Sequence, residues 1–118
     1  MKKFLAVYLG SEHSAAGAKW EALDEKTRGE RETAGVAGWM KWVETHSKSI
    51  LDTGSPLGKT KRVDSNGISD TTNELTAFTI VEAESQVAAA KLFLNHPHFA
   101  IFPGDAVEIV ECLPIPGM

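Results

Sequence analysis

The sequence predicts an α+β fold, an antiparallel sheet carrying two helices on one of its faces. Three observations point there. Short β-rich runs and longer helical stretches follow one another in the order β, α, β, β, α, β. The first and third strands are apolar on both faces. The chain has 118 residues, of which 42% are hydrophobic and 24% charged, which suits one core. A chain this long buries about two-thirds of its unfolded surface, so residues 1–118 read as a single domain that needs no disulfide or metal staple.

Phe4 to Leu9 is apolar, rich in β-formers and stopped by Gly10, too short for an ordinary helix, and is the first strand. Phe4, Ala6 and Tyr8 project to one side and Leu5, Val7 and Leu9 to the other, which leaves no wet face. Ser11 to Thr27 is a mixed connection with a short helical turn around Ala18 to Leu23. From Gly29 to Leu51, Val36, Met40, Val43 and Ile50 recur at helical spacing, while Lys41, Glu44, Thr45 and Lys48 lie opposite. Asp52, Thr53 and Gly54 end this helix, with Gly54 as a left-handed cap, and Pro56 blocks its continuation.

Thr60 to Asp64 is the second strand, followed by the turn Asp64-Ser65-Asn66-Gly67 and a polar loop from Ile68 to Asn73. Leu75 to Glu82 is the third strand, with Phe78 and Ile80 on one face and Leu75, Ala77 and Val81 on the other. Glu84 or Ser85 caps a second helix running to Asn95, where Pro97 closes it. Val107 to Leu113, after the Pro103-Gly104 turn, is the last strand.

This order is that of a ferredoxin-like βαββαβ subunit. Two helices cover only one face of the sheet. The other face, apolar on the first and third strands, is expected to meet a second copy and close a dimeric α+β barrel.

Charge and composition exclude several classes. Twelve Lys and Arg against sixteen Asp and Glu give a net charge of −4 and a pI near 5.5. That balance excludes nucleic acid and anionic membrane as main partners, because both require a basic footprint. The single cysteine, Cys112, makes no internal disulfide or zinc cluster. No apolar run approaches the length of a bilayer span or a signal-peptide core. A cytoplasmic homodimer is the expectation, and no cofactor is implied.

Several stretches carry a family resemblance: Trp39-Met40-Lys41-Trp42 with His46, Gly54-Ser55-Pro56-Leu57-Gly58-Lys59-Thr60, Ile80-Val81-Glu82-Ala83-Glu84-Ser85, His96-Pro97-His98-Phe99, Val107-Glu108-Ile109, and the ending Leu113-Pro114-Ile115-Pro116-Gly117-Met118. Together they resemble YCII-related proteins, the group of YciI-like and DGPF-domain proteins. Asn73-Glu74-Leu75 stands where one branch has Asp-Gly-Pro-Phe. The resemblance implies a dimeric α+β barrel of ferredoxin-like subunits. Its wider superfamily includes isomerases, dechlorinating enzymes and cofactor-independent monooxygenases, so fold alone names no reaction.

Among single residues, His46 sits at the border of the apolar helix stripe beside Trp39 and Trp42, where a partly desolvated imidazole could reach a pocket, and the histidine side chain, which ordinarily titrates near neutrality, suits general acid or base work. Its alternative is a boundary histidine bonded to the backbone. Asp52 is the candidate to orient it. Gly54 to Lys59 is either a plain connection or a turn whose cation, Lys59, holds an anionic group; the glycine spacing is not that of a P-loop. His96 and His98, two apart around Pro97, would need a third ligand such as His13, Asp105 or Glu108 to hold a metal, and no ligand spacing supports one. His96 is retained at a pocket mouth. Trp39 and Trp42, with Trp20, Phe78, Phe93 and Tyr8, are either core or the lining of an aromatic cavity.

Two functional readings follow. One is an acid/base enzyme of the isomerase or lyase type acting on a small organic acid or aromatic metabolite, with His46 and Asp52 catalytic and Trp39, Trp42, Lys59 and His96 binding ligand. The other is a non-enzymatic dimer that binds a metabolite or assists a partner. A cofactor-free oxygenase of similar fold has no motif in its favour.

Overall fold

A computed structural model describes residues 1–117. The chain runs β1 (Lys2–Leu9), α1 (Ala15–Glu21), α2 (Glu25–Thr45), β2 (Ile50–Pro56), β3 (Thr60–Asp64), β4 (Gly67–Thr71), β5 (Leu75–Ala83), α3 (Gln86–Lys91), α4 (Pro97–Ala100) and β6 (Ala106–Glu111). Met118, the last residue of the resemblance stretches, lies outside the described residues.

Four strands form an antiparallel sheet in the order β2-β5-β1-β6. Counting only these, the third strand lies beside the first, the second flanks the third at one edge and the fourth flanks the first at the other, which is the ferredoxin-like order. β3 and β4 stand apart as a separate antiparallel pair inserted between β2 and β5.

The core follows the two-residue period of the strands. Phe4, Ala6 and Tyr8 of β1 and Ala77, Thr79, Val81 and Ala83 of β5 are buried beneath α2 and α3, joined by Trp42, Ala89 and Phe93. The opposite face presents Leu5 between Ile80 and Val110, and Val7 beside Phe78. These side chains are half-buried to exposed, and no helix among the described residues packs over them.

The boundaries depart from the sequence reading in several places. The long helix is four residues earlier at its start, since the Asp24 side chain accepts from the Thr27 N–H at 2.7 Å and caps it. It stops at Thr45, and Ile50 and Leu51, which read as its last turn, open β2. Gly54 is therefore not a helix cap: at φ +72° it bulges β2, and a Cβ there would sit 1.7 Å from the Phe78 carbonyl oxygen. Pro56 fits because β2 is an edge strand, where its missing N–H leaves no ladder bond unmade.

Thr60 to Asp64 is not the second strand of the main sheet but β3 of the separate hairpin, and Ile68 to Asn73 supplies β4 as its partner. The Asp64 carboxylate accepts from the Asn66 N–H at 2.8 Å, which tightens the turn between them and holds that carboxyl below its ordinary value. The second long helix is shorter than expected. Ser85 caps it at Ala88, but it ends at Lys91. Asn95 at φ +57° then reverses the chain, and Pro97 starts α4 instead of merely stopping α3. The mixed connection after β1 holds α1 at Ala15–Glu21, capped by Ser14.

Candidate functional site

α2 crosses the sheet with Gly35, Trp39, Trp42 and Val43 toward it, while Val36 and Met40, counted in the apolar stripe, are 54% and 69% exposed. Trp42 donates its Nε1–H to the Leu92 carbonyl at 2.7 Å, tying α2 to the end of α3. α4 and the segment after it approach α2 through Gly35 and Gly38. A Cβ on Gly35 would lie 2.4 Å from the Phe102 ring, and one on Gly38 would lie 3.3 Å from Pro97 and Ile101. Two absent side chains thus let α4 reach the core.

α4 begins with a histidine cap. The Nδ1 of His96 accepts from the His98 N–H at 3.0 Å, so the ring proton is on Nε2. From there a chain of bonds crosses the core. His96 Nε2–H donates to the Tyr8 hydroxyl at 3.4 Å, Tyr8 donates to Thr79 Oγ1 at 2.9 Å, and Thr79 donates to the Thr53 carbonyl at 3.1 Å. Every buried side-chain polar atom among the described residues has a partner.

Burial shapes the chemistry of this chain. It pushes the Tyr8 hydroxyl up to about 12, against the opposing Thr79 bond, and pushes His96 down to about 3, with repulsion from His98 and His46 adding to the effect. Both groups stay neutral at ordinary pH. Their bonds link β1, β5, α4 and, through Thr53, β2.

His98 differs. Its Nε2–H donates to the Leu9 carbonyl at 2.7 Å, and the same carbonyl accepts from the Asp105 N–H at 2.9 Å. Gly104 passes so close that a Cβ would sit 2.2 Å from Nε2 of the ring. Burial lowers the His98 pKa, while the Leu9 bond, the Asp105 carboxylate and the Ala106 backbone oppose that shift. With its Nε2 proton committed, Nδ1 is the unprotonated nitrogen.

A cleft of about 470 Å³ opens between α2 and the β2–β5 edge. Trp39, Met40, Val43 and Phe102 form its apolar wall, Thr53 to Pro56 and Thr76 to Phe78 its sheet side, and His98 is the one ionisable side chain lining it among the described residues. Trp39 also packs on Tyr8 and His96, with ring centroids 4.8 and 4.5 Å away. The buried chain of bonds thus braces both walls, through Thr53 on one and the His96–His98 segment on the other.

The residues singled out from sequence are distributed as follows. Trp39 lines the cleft, and Trp42 and His96 lie in the buried layer behind it. His46 caps the C-terminus of α2, half-buried, 5.3 Å from the Trp42 ring and outside the cleft lining. Asp52 is exposed and accepts from the Gly54 N–H at 2.8 Å, supporting the bulge. No hydrogen bond or ion pair among the described residues joins it to His46. Lys59 is exposed at the root of the β3–β4 hairpin, in a separate polar recess with Lys61 and Asp70. The structure therefore brings Trp39, Trp42 and His96 together, sets His46 against Trp42 but outside the cleft lining, and leaves Asp52 and Lys59 apart from them and from the cleft.

Among the described residues, no three of His, Cys, Asp or Glu converge where a metal ion could sit, and no helix is long and apolar enough to cross a membrane. No family model and no curated protein matches the chain. Among solved structures, a 5-chloro-2-hydroxyhydroquinone dehydrochlorinase from Burkholderia phenoliruptrix AC1100, in complex with 2,5-dihydroxybenzoquinone, is similar at 19% identity. The match covers 91% of this chain and 89% of that one, with a TM-score of 0.48. That likeness leaves the site to be read from this chain's own side chains.

Proposed function

We propose that this chain binds a small, neutral aromatic molecule bearing a hydroxyl group in the cleft beneath α2. The observation that carries the reading is the lining: an apolar wall with two aromatic rings and a single ionisable residue, His98. Size agrees, since the volume falls within the usual range for metabolite pockets. Charge narrows the class. Among the described residues no lysine or arginine lines the cleft to offset a carboxylate, and Lys59 stands elsewhere, so a phenol is favoured over an organic acid.

In this reading Trp39 and Phe102 pack the ring of the ligand, and the unprotonated nitrogen of neutral His98 accepts from its hydroxyl. The acid/base alternative uses the same contact: the hydroxyl proton passes to Nδ1 and is returned at the end of the turnover. The lowered His98 pKa favours it, because the base is already unprotonated near neutrality. The uncovered sheet face of Leu5, Val7, Phe78 and Ile80 supports a homodimer, as in the YCII-related proteins the sequence resembles.

Melting-temperature shifts with phenol, catechol, benzoate and cyclohexanol test the assignment. Phenol and catechol are expected to stabilise the protein saturably, benzoate and cyclohexanol less, and Trp39→Ala to abolish the effect. A site at a hundredfold excess over its dissociation constant adds about 2.7 kcal/mol. Equal shifts with Trp39→Ala, or benzoate binding better than phenol, would reject it.

A further inference from the structure

We infer that the β3–β4 hairpin is an arm that clasps a second copy of this chain. The inference rests on the two-copy reading above and adds to it the part that holds the copies together.

The hairpin touches solvent almost everywhere: from Lys61 to Asp70 each residue is exposed. A lone two-stranded ribbon is marginal in water and ordinarily needs a third strand or a surface to pack on. Its two faces differ, however. Pairing sets Val63 against Ile68 and Lys61 against Asp70, so these four share one face, while Arg62 and Ser69 share the other with Thr60 and Thr71. The first face combines two large β-branched side chains, 74% and 75% exposed, with an ion pair between Lys61 and Asp70 that cancels its charge. A neutral face with an apolar tip is suited to burial, and the described residues leave it exposed.

Area identifies the occupant. The chain exposes 8300 Å², about 2,000 Å² more than the roughly 6,300 Å² expected of a compact protein of its mass. Its radius of gyration of 16.1 Å likewise exceeds the roughly 13.5 Å of a compact domain of this length. A face-to-face sheet contact of ordinary size hides about 800 Å² per subunit. That leaves more than half of the excess uncovered, so sheet pairing alone does not account for it. An arm whose strands run five residues spans about 17 Å, against about 10 Å between two sheets packed face to face. It is long enough to reach past the interface onto the partner, and two-fold symmetry makes each copy both donor and receiver.

Sedimentation of the full chain over a concentration series, beside Val63→Ser/Ile68→Ser and Phe78→Glu, separates the possibilities. The full chain is expected to be a dimer, and the double tip variant, with its circular dichroism unchanged, to weaken the dimer at least tenfold. A monomeric full chain would remove the two-copy reading and the arm with it. A dimer that Phe78→Glu weakens and the tip variant does not would overturn the arm alone. Photo-crosslinking from benzoylphenylalanine at position 63 provides an independent readout: a band at twice 12.8 kDa is expected. Crosslinks confined within one chain, or to other proteins at the expense of that band, would also overturn it.

Discussion

With its hydroxyl donating to Thr79 and accepting from His96, Tyr8 fills a position where a phenylalanine would have the shape but not the bonds. Tyr8→Phe leaves the His96 Nε2–H without a partner in the core, at a cost of about 1 to 3 kcal/mol in urea unfolding. His96 gives the same layer a pH dependence. Its folded value of about 3 lies below the ordinary 6.5 of the unfolded chain, so the native state binds fewer protons between those values. The contribution of His96 is full above about pH 6.5 and declines as pH falls toward 3, by about 1.4 kcal/mol per unit. From pH 7 to pH 5 the wild type is therefore expected to lose about 2 kcal/mol more than His96→Gln. At this scale the sequence was legible only in part. The face carrying Phe4, Ala6 and Tyr8 followed from alternation along one strand. That Tyr8 meets Thr79 and His96, 71 and 88 residues away, depends on which strands are neighbours and on a helix cap, neither of which has a local signature. His98 was readable as one of a histidine pair, but not as the ionisable residue of the cleft.

At the scale of elements, the path of α2 is set by what it lacks on one side. Gly35 and Gly38 admit Phe102 and Pro97, and Phe102 then forms a wall of the cleft. Gly35→Ala adds a methyl group in the place of the Phe102 ring edge while gaining about 1 kcal/mol of helix propensity. The ring, as the movable partner, is expected to swing, so stability changes by less than about 1 kcal/mol while phenol affinity falls at least fivefold by calorimetry. A variant that melts unchanged and binds phenol unchanged would mean Phe102 takes no part in binding. The two errors of boundary along this stretch share a cause. Ile50 continues the spacing of Val36 and Val43 by seven, and Gly54 and Pro56 resemble a helix stop, yet the same residues serve a bulged edge strand. Periodicity cannot separate the two when the strand is short and its partner, β5, lies twenty-five residues downstream.

For the whole molecule, extents of 54 × 43 × 19 Å describe a slab with one covered face and one bare one. Three strands of the main sheet, the helices on one side and the apolar other side were legible from the element order and the doubly apolar strands β1 and β5, whereas the edge strand β2 was hidden in what read as a helix end. The hairpin was not legible either, because Ile68 to Asn73 is too polar to announce a strand and pairs only with its neighbour. Two claims depend on the slab, the dimer and the cleft, and the second carries the function. Its most direct test is a single titration of phenol into isotope-labelled protein, following the His98 Cε1–H and Trp39 indole resonances by nuclear magnetic resonance. Both are expected to shift together and saturate at one dissociation constant, while His46 and His13 stay in place. Shifts that never saturate, or a response centred on His46 with His98 unmoved, would contradict the account.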